Sequence, residues 1–352
     1  MKILHVINSM EIGGAQKLLL DLLPLQAKTE DVSLLVYERV NNDFEKAILQ
    51  AGIKVICLNQ PVYHSPAVVT GMRRIFRDYD VVHVHLFPSV YWASLASIGM
   101  KVKMVYTEHS TSNRRRGKWY FRIIERFVYG RYDRIISISP QTQYALQGWL
   151  GQSGNRFVVI NNAVDIRRFS AINRPTIPKS LTMVSRFAPA KDQETVIRAM
   201  GLIDDQEVVL RLVGDGSNMD HCKEVAKECG VEDRVLFLGA RSDVPELVAE
   251  SYIGIQSSCW EGFGLTAVEF MAAGKPIVAS RVPGLEQVVE GAGLLFEKGS
   301  ETELAAIINR LLSNKEEYDR VSERCKLRAS KYDIREMSEA YIDVYKTLIA
   351  GS

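Results

Sequence analysis

Two glutamates, Glu261 and Glu269, stand with seven residues between them in the stretch 257–280, SSCWEGFGLTAVEFMAAGKPIVAS. Gly262-Phe263-Gly264-Leu265 follows the first glutamate. The apolar positions Leu265, Val268, Phe270 and Met271 predict a helix that ends near Gly274 and Pro276. Ile277-Val278-Ala279 then reads as a short buried strand. Gly264 therefore marks the point where a loop enters a helix. Free backbone N–H groups meet the positive end of the helix dipole there, which favours an anion and above all a phosphate. Carboxylates flanking an anion site make sense when the ligand also carries hydroxyls, which they accept well. A nucleotide sugar combines both groups.

Other residues of chemical interest lie upstream. Strand alternation puts His83 and His85 of Val82-His83-Val84-His85 on one face. A metal would need further ligands, and none is evident nearby in the sequence. His109, in Tyr106-Thr107-Glu108-His109-Ser110, falls just past the C-terminal end of an expected strand, where open α/β sheets place ligands. Gly13 and Gly14 lie between an apolar run, Ile3 to Ile7, and a helical pattern from about Lys17 to Leu25. Strand, glycine turn and helix make an element like a phosphate loop, although the G-x-G-x-x-G dinucleotide pattern is absent and such a turn also serves as plain punctuation. The run from Arg114 to Arg134 carries Arg114, Arg115, Arg116, Lys118, Arg122, Arg126, Arg131 and Arg134 against Glu125 and Asp133. With Trp119, Phe121, Ile123, Ile124, Phe127 and Val128 it suits the headgroup layer of an anionic membrane, or a packed helix with a solvated basic edge. No nucleic-acid-binding motif accompanies the charge.

The elements that must position these residues alternate. Strand candidates run at Ile3 to Ile7, Ser33 to Tyr37, Lys54 to Cys57, Val81 to Val84, Val102 to Tyr106 and Arg134 to Ser137, with helical patterns between most of them. The pattern restarts at Leu181 to Ser185, Val208 to Val213, Val235 to Leu238, Ile253 to Gln256, Ile277 to Ala279 and Gly293 to Phe296. This predicts an α/β fold with two mainly parallel, doubly wound sheets. The chain of 352 residues has room for two domains, and 47% hydrophobic with 24% charged residues is an ordinary globular balance. A net charge of +2 points to no polyanion. The five scattered cysteines lack a metal-site spacing and read as reduced thiols in a cytoplasmic protein. No run of eighteen apolar residues spans a membrane.

The glutamate pair, EGFG and the trailing AAGKPIVAS resemble the signature of retaining nucleotide-sugar glycosyltransferases of family four, which have the GT-B fold of two Rossmann-like domains facing across a cleft. The resemblance covers nearly the whole chain and is most specific over 181–290. It implies an N-terminal acceptor-side domain over 1–165, a linker over 166–180, a nucleotide-sugar donor-binding domain over 181–333, and a last helix, about 334–352, that packs back on the first domain.

The resemblance also assigns roles. Arg186 and Lys191 match the arginine and lysine that bind the donor diphosphate, where fixed cations lower the barrier to a leaving group that gains negative charge. Gly13 and Gly14 match a glycine loop whose amides approach the donor diphosphate or the acceptor. Gly214 belongs to a "GdG" turn of the donor site, and the backbone around Ala240 and Arg241, after the strand-end Gly239, is where main chain meets the base. The backbone of Phe263, Gly264 and Leu265 meets sugar or diphosphate. Glu269 holds the ribose hydroxyls, Glu261 the sugar hydroxyls, and His109 lies by the anomeric centre. No Asp-x-Asp motif accompanies the donor site, so neither metal nor cofactor is expected. The implied activity moves a sugar from a nucleoside-diphosphate sugar, a UDP-sugar in the favoured case, to a saccharide or lipid-linked saccharide in cell-surface polysaccharide synthesis, with peripheral contact at the cytoplasmic face of the membrane through Arg114–Arg134. The alternatives are a silent nucleotide-sugar-binding subunit and another GT-B enzyme such as an epimerase. Three positions depart from the pattern: Ser257 where proline is usual, Pro283 in place of a glycine, and Gln287 where a glutamate would align.

Overall fold

Short apolar runs such as Ile277-Val278-Ala279 are buried along their whole length and need cover on both sides. In this computed structural model, which describes residues 1–11, 13–60, 66–111 and 115–351, they form two parallel sheets. The chain divides into one unit of Met1–Asn162 with Ile334–Ser352, and a second of Ala163–Asp333.

The first unit holds β1 (Lys2–Val6), β2 (Asp31–Val36), β3 (Lys54–Cys57), β4 (Val81–His85), β5 (Lys103–Glu108), β6 (Arg134–Ser137) and β7 (Phe157–Val159) in the order β3-β2-β1-β4-β5-β6-β7. The order turns between β1 and β4, where His5 pairs in register with His83. Leu18, Leu19, Leu22 and Leu23 form the buried stripe of the helix Gly14–Gln26. That helix packs against the last helix of the chain, Ile334–Ala350, which also meets β5.

The second unit holds β8 (Ser180–Val184), β9 (Val209–Val213), β10 (Val235–Gly239), β11 (Ile253–Gln256), β12 (Ile277–Ser280) and β13 (Leu294–Phe296) in the order β10-β9-β8-β11-β12-β13. Here the turn in strand order lies between β8 and β11, and the loops leaving the C-terminal ends of those strands open beside each other. Open α/β sheets bind ligands at this kind of switch point. The stretch 166–180, expected as a linker, is not bare connection. It contains the helix Ile166–Ser170, which packs on the helices Val244–Glu250 and Leu265–Ala272 and buries Phe169. Among the described residues no helix is long and apolar enough to cross a membrane.

Candidate active site

The loops that leave β8 and β11 are tied together at three points. Cys259 N donates to Ala190 O at 2.9 Å. Ser257 Oγ donates to Asp192 Oδ2 at 3.2 Å, which gives the serine at the usual proline position a structural task. Lys191 Nζ forms an ion pair with the Glu261 carboxylate, both side chains being mostly buried. Lys191 and Glu261, seventy positions apart, thus stand at one place.

Arg186 lies at the same end of β8. Its backbone is held by Gln193, whose buried amide donates to Ser185 Oγ at 3.0 Å and to Arg186 O at 2.8 Å. The Arg186 side chain is exposed and has no ion-pair partner among the described residues, so its guanidinium is available to an anion. Gly214 lets the β9 loop close over this corner, since a Cβ there would sit 2.0 Å from Ser185 O.

Gly264 adopts φ +94°, and no side chain caps the helix Leu265–Ala272 that follows. The first amides of that helix remain available to a ligand. Glu269 is buried inside it, 2% exposed, and Phe263 turns its ring into the interior against Tyr332. Phe263 can therefore offer a ligand only its main chain, as can Gly264; Leu265 is half-buried. Beneath the loop, Gly284 lies so close that a Cβ would come within 2.1 Å of Glu261 O. The Pro283-Gly284 departure thus begins the helix Pro283–Val289 directly against the glutamate loop. Gln287 Nε2 donates to Gly284 O at 3.3 Å, and Glu286 to Arg281 is an ion pair of the surface. Arg241 is also a surface residue: its guanidinium is clamped by Asp243 at 2.7 and 2.6 Å.

In the first unit the helix Gly14–Gln26 begins without a side-chain cap at Gly13, and a Cβ on Gly14 would meet nothing within 4 Å. Ile12 beside it lies outside the described residues. The histidines form a cluster larger than the His83–His85 pair that strand alternation reveals. His5 joins His83 and His85, and the three offer nitrogen atoms within 4.8 Å of one another, a grouping able to hold a metal ion. Yet every ring nitrogen in the group has a partner. His5 reaches His85 at 3.1 Å and Gln26 at 2.8 Å; His83 reaches Tyr345 and, at 2.7 Å, Thr107; His85 reaches His109 at 3.2 Å. Burial lowers the pKa of His5 and of His109 to about 4 and depresses His83 and His85 strongly, so the rings are neutral at neutral pH.

The basic run divides on folding. Arg115 pairs with the fully buried Glu125 at 2.9 Å, and Arg116 with Glu108 at 3.1 Å, so these two charges belong to the interior and not to a basic surface. Arg114 lies outside the described residues. The helix Trp119–Gly130 keeps Lys118, Arg122 and Arg126 exposed at or before its start and along it.

Two Rossmann-like units, one of them with cations, an uncapped helix and carboxylates at its switch point, define a protein of the GT-B class. Two family models match the chain, "Glycosyltransferase Family 4" over residues 12–168 and "Glycosyl transferases group 1" over residues 166–328. The chain belongs to this family of glycosyltransferases. It is 29% identical, over 77% of its length and 74% of the relative's, to N-acetyl-alpha-D-glucosaminyl L-malate synthase of Bacillus anthracis. It is 24% identical, over 84% of both chains, to the UDP-Gal:alpha-D-GlcNAc-diphosphoundecaprenol alpha-1,3-galactosyltransferase of Escherichia coli. Its fold is similar to that of Anabaena Alr3699/HepE, solved in complex with UDP and glucose, at a TM-score of 0.86 and 24% identity, covering 98% and 99% of the two chains.

Proposed function

We propose that the protein transfers a sugar from a nucleoside-diphosphate sugar, with UDP as the favoured nucleotide, to a saccharide or lipid-linked saccharide, with retention of anomeric configuration and without a metal ion. The pairing of Lys191 with Glu261 beside the exposed Arg186 carries this reading. As the bond between the anomeric carbon and the diphosphate breaks, negative charge collects on the leaving oxygens. Lys191, Arg186 and the amides at the start of Leu265–Ala272 supply fixed positive charge to it. The acceptor hydroxyl attacks on the face the diphosphate leaves. Its proton passes to a leaving phosphate oxygen, so no side chain has to act as a covalent nucleophile.

Glu261 would hold hydroxyls of the transferred sugar while keeping the Lys191 ammonium in place. Glu269 would accept from the ribose, Gly214 and the backbone around Ala240 and Arg241 would border the nucleotide, and Gly13 and Gly14 would leave amides open to an anionic substrate. His109 would offer a neutral ring to a substrate hydroxyl. The Escherichia coli relative, which is named for a diphosphoundecaprenol-linked acceptor, supports a lipid-linked acceptor. So does the helix Trp119–Gly130, where Trp119, Ile123 and Phe127, spaced four apart on one face, are 75%, 62% and 55% exposed. Incubation with UDP-, GDP- and ADP-sugars, followed by proton NMR of the new anomeric centre, tests both donor and stereochemistry. An inverted product would overturn the reading.

A further inference from the structure

Three imidazoles run in file from the helix Gly14–Gln26 to the end of β5. Gln26 Oε1 faces His5 Nε2 at 2.8 Å, His5 Nδ1 faces His85 Nε2 at 3.1 Å, and His85 Nδ1 faces His109 Nε2 at 3.2 Å. Gln26, His5 and His85 are buried to 1% exposure or less, so no water competes for these contacts. A neutral imidazole carries one N–H and one lone pair, and a carbonyl oxygen only accepts. The tautomers are therefore coupled. His5 must carry its proton on Nε2 to satisfy Gln26, which leaves Nδ1 to accept. His85 must then donate from Nε2 and accept at Nδ1, and His109 must donate from Nε2.

We propose that Gln26 is a positioning residue which, through His5 and His85, locks His109 in the Nε2–H tautomer and so presents its bare Nδ1 as an acceptor for a substrate hydroxyl. The hydroxyl acceptor role rests on the function proposed above; the tautomer relay does not. His83 stands beside the file without interrupting it. Its nitrogens are taken by Tyr345 and Thr107, and Thr107 also reaches Tyr341 at 3.3 Å, so the last helix holds this ring out of the file. Burial keeps all four rings neutral, the condition under which one proton per ring enforces the coupling. A reversed Gln26 amide would hand its N–H to His5 and drive His109 into the opposite, Nδ1–H form, so the two orientations give opposite answers.

The test is long-range 1H–15N correlation NMR on the full chain labelled with 15N-histidine, which reads the tautomer of each ring directly. The expected result is His5, His85 and His109 all as Nε2–H at pH 7.5. Gln26→Leu, which removes the acceptor, should let the Nδ1–H form of His109 appear, and Gln26→Glu, which still accepts, should restore Nε2–H. His109 as Nδ1–H in the native chain, or a tautomer indifferent to Gln26→Leu in a folded variant, would overturn the relay. So would zinc chloride that perturbs His5, His83 and His85 at one equivalent, since those lone pairs would then belong to a cation. If Gln26→Leu does not fold, Gln26→Met, which keeps the side-chain volume and also removes the acceptor, takes its place. Transfer rates separate the two ideas: a shifted tautomer with unchanged turnover keeps the relay and removes His109 from the reaction.

Discussion

Lys191 and Glu261 form an ion pair between the loops that leave β8 and β11, at the point where the strand order of the second sheet turns. The pair keeps the ammonium in place before any ligand arrives. It is one of three links between those loops, with Cys259 to Ala190 and Ser257 to Asp192.

Lys191→Ala removes one fixed cation from the leaving group. Turnover is expected to fall about 10²–10³-fold, the usual cost of removing one preorganised donor from a developing negative charge. The pair is mostly buried, so loss of the lysine leaves the Glu261 carboxylate unpaired and should lower the melting temperature while the protein still folds. Steady-state kinetics beside thermal unfolding would check both. Turnover within a few-fold of the native rate would remove Lys191 from the chemistry.

Gly284→Ala asks whether the glutamate loop tolerates any side chain beneath it. The added Cβ would lie 2.1 Å from Glu261 O. Overpacking of this kind costs about 1–3 kcal/mol, and here it displaces Glu261 as well. Gly148→Ala is the control, in the helix Pro140–Leu150, where a Cβ meets nothing within 4 Å; it should be neutral or stabilising by about 0.5–1 kcal/mol. Urea unfolding of both variants provides the comparison, and equal stabilities would contradict the packing described.

The histidine file makes stability depend on pH. His5 and His109 have folded pKa values near 4, below the ordinary 6.5, because burial disfavours their charged forms. Their neighbours His83 and His85 are depressed in the same way, and Tyr341 and Tyr345, which face the cluster, are raised by burial and stay neutral in this range. Between these pH values the unfolded chain binds protons that the folded chain refuses. The contribution to stability is thus complete above about pH 6.5 and is lost as pH falls through about 4. Denaturation midpoints measured from pH 7.5 to 4.5 should decline, and histidine resonances of His5 and His109 should not titrate above pH 5. A midpoint near 6.5 for His109 would show an open, hydrated ring instead.

Trp119, Ile123 and Phe127 are expected to enter an anionic bilayer. Replacing all three with serine should abolish sedimentation with phosphatidylglycerol vesicles while leaving the melting temperature in place, because these side chains bury little in the fold. Binding of the native chain should weaken with salt through Lys118, Arg122 and Arg126. Equal sedimentation of the variant would exclude this helix as the contact.

Most of the architecture could be read from local pattern, because buried parallel strands are continuous apolar runs and the helices between them are periodic. The strand candidates and the observed strands differ mainly by a residue or two at their ends. What could not be read is whatever depends on register between distant segments. Alternation showed His83 and His85 on one face, but His5 joins them only because β1 lies beside β4 in matching register. Arg115 and Arg116 looked like surface charge because Glu125 and Glu108, which neutralise them, are buried by packing that no spacing reveals. Asp192, Gln193 and Gly284 support the candidate site through contacts of the same non-local kind.

The most direct test of the donor site is calorimetric titration of UDP in the presence of EDTA, on the native chain and on the Arg186→Ala, Lys191→Ala double variant. The expected result is saturable binding to the native chain and little or none to the variant, with cooperative thermal unfolding of both showing that the variant is folded when no ligand is present. At a hundred times its dissociation constant, UDP should stabilise the native chain by about 2.7 kcal/mol. Binding that the double variant retains in full, or no binding by the native chain of UDP, GDP or ADP, would contradict the site at the ends of β8 and β11.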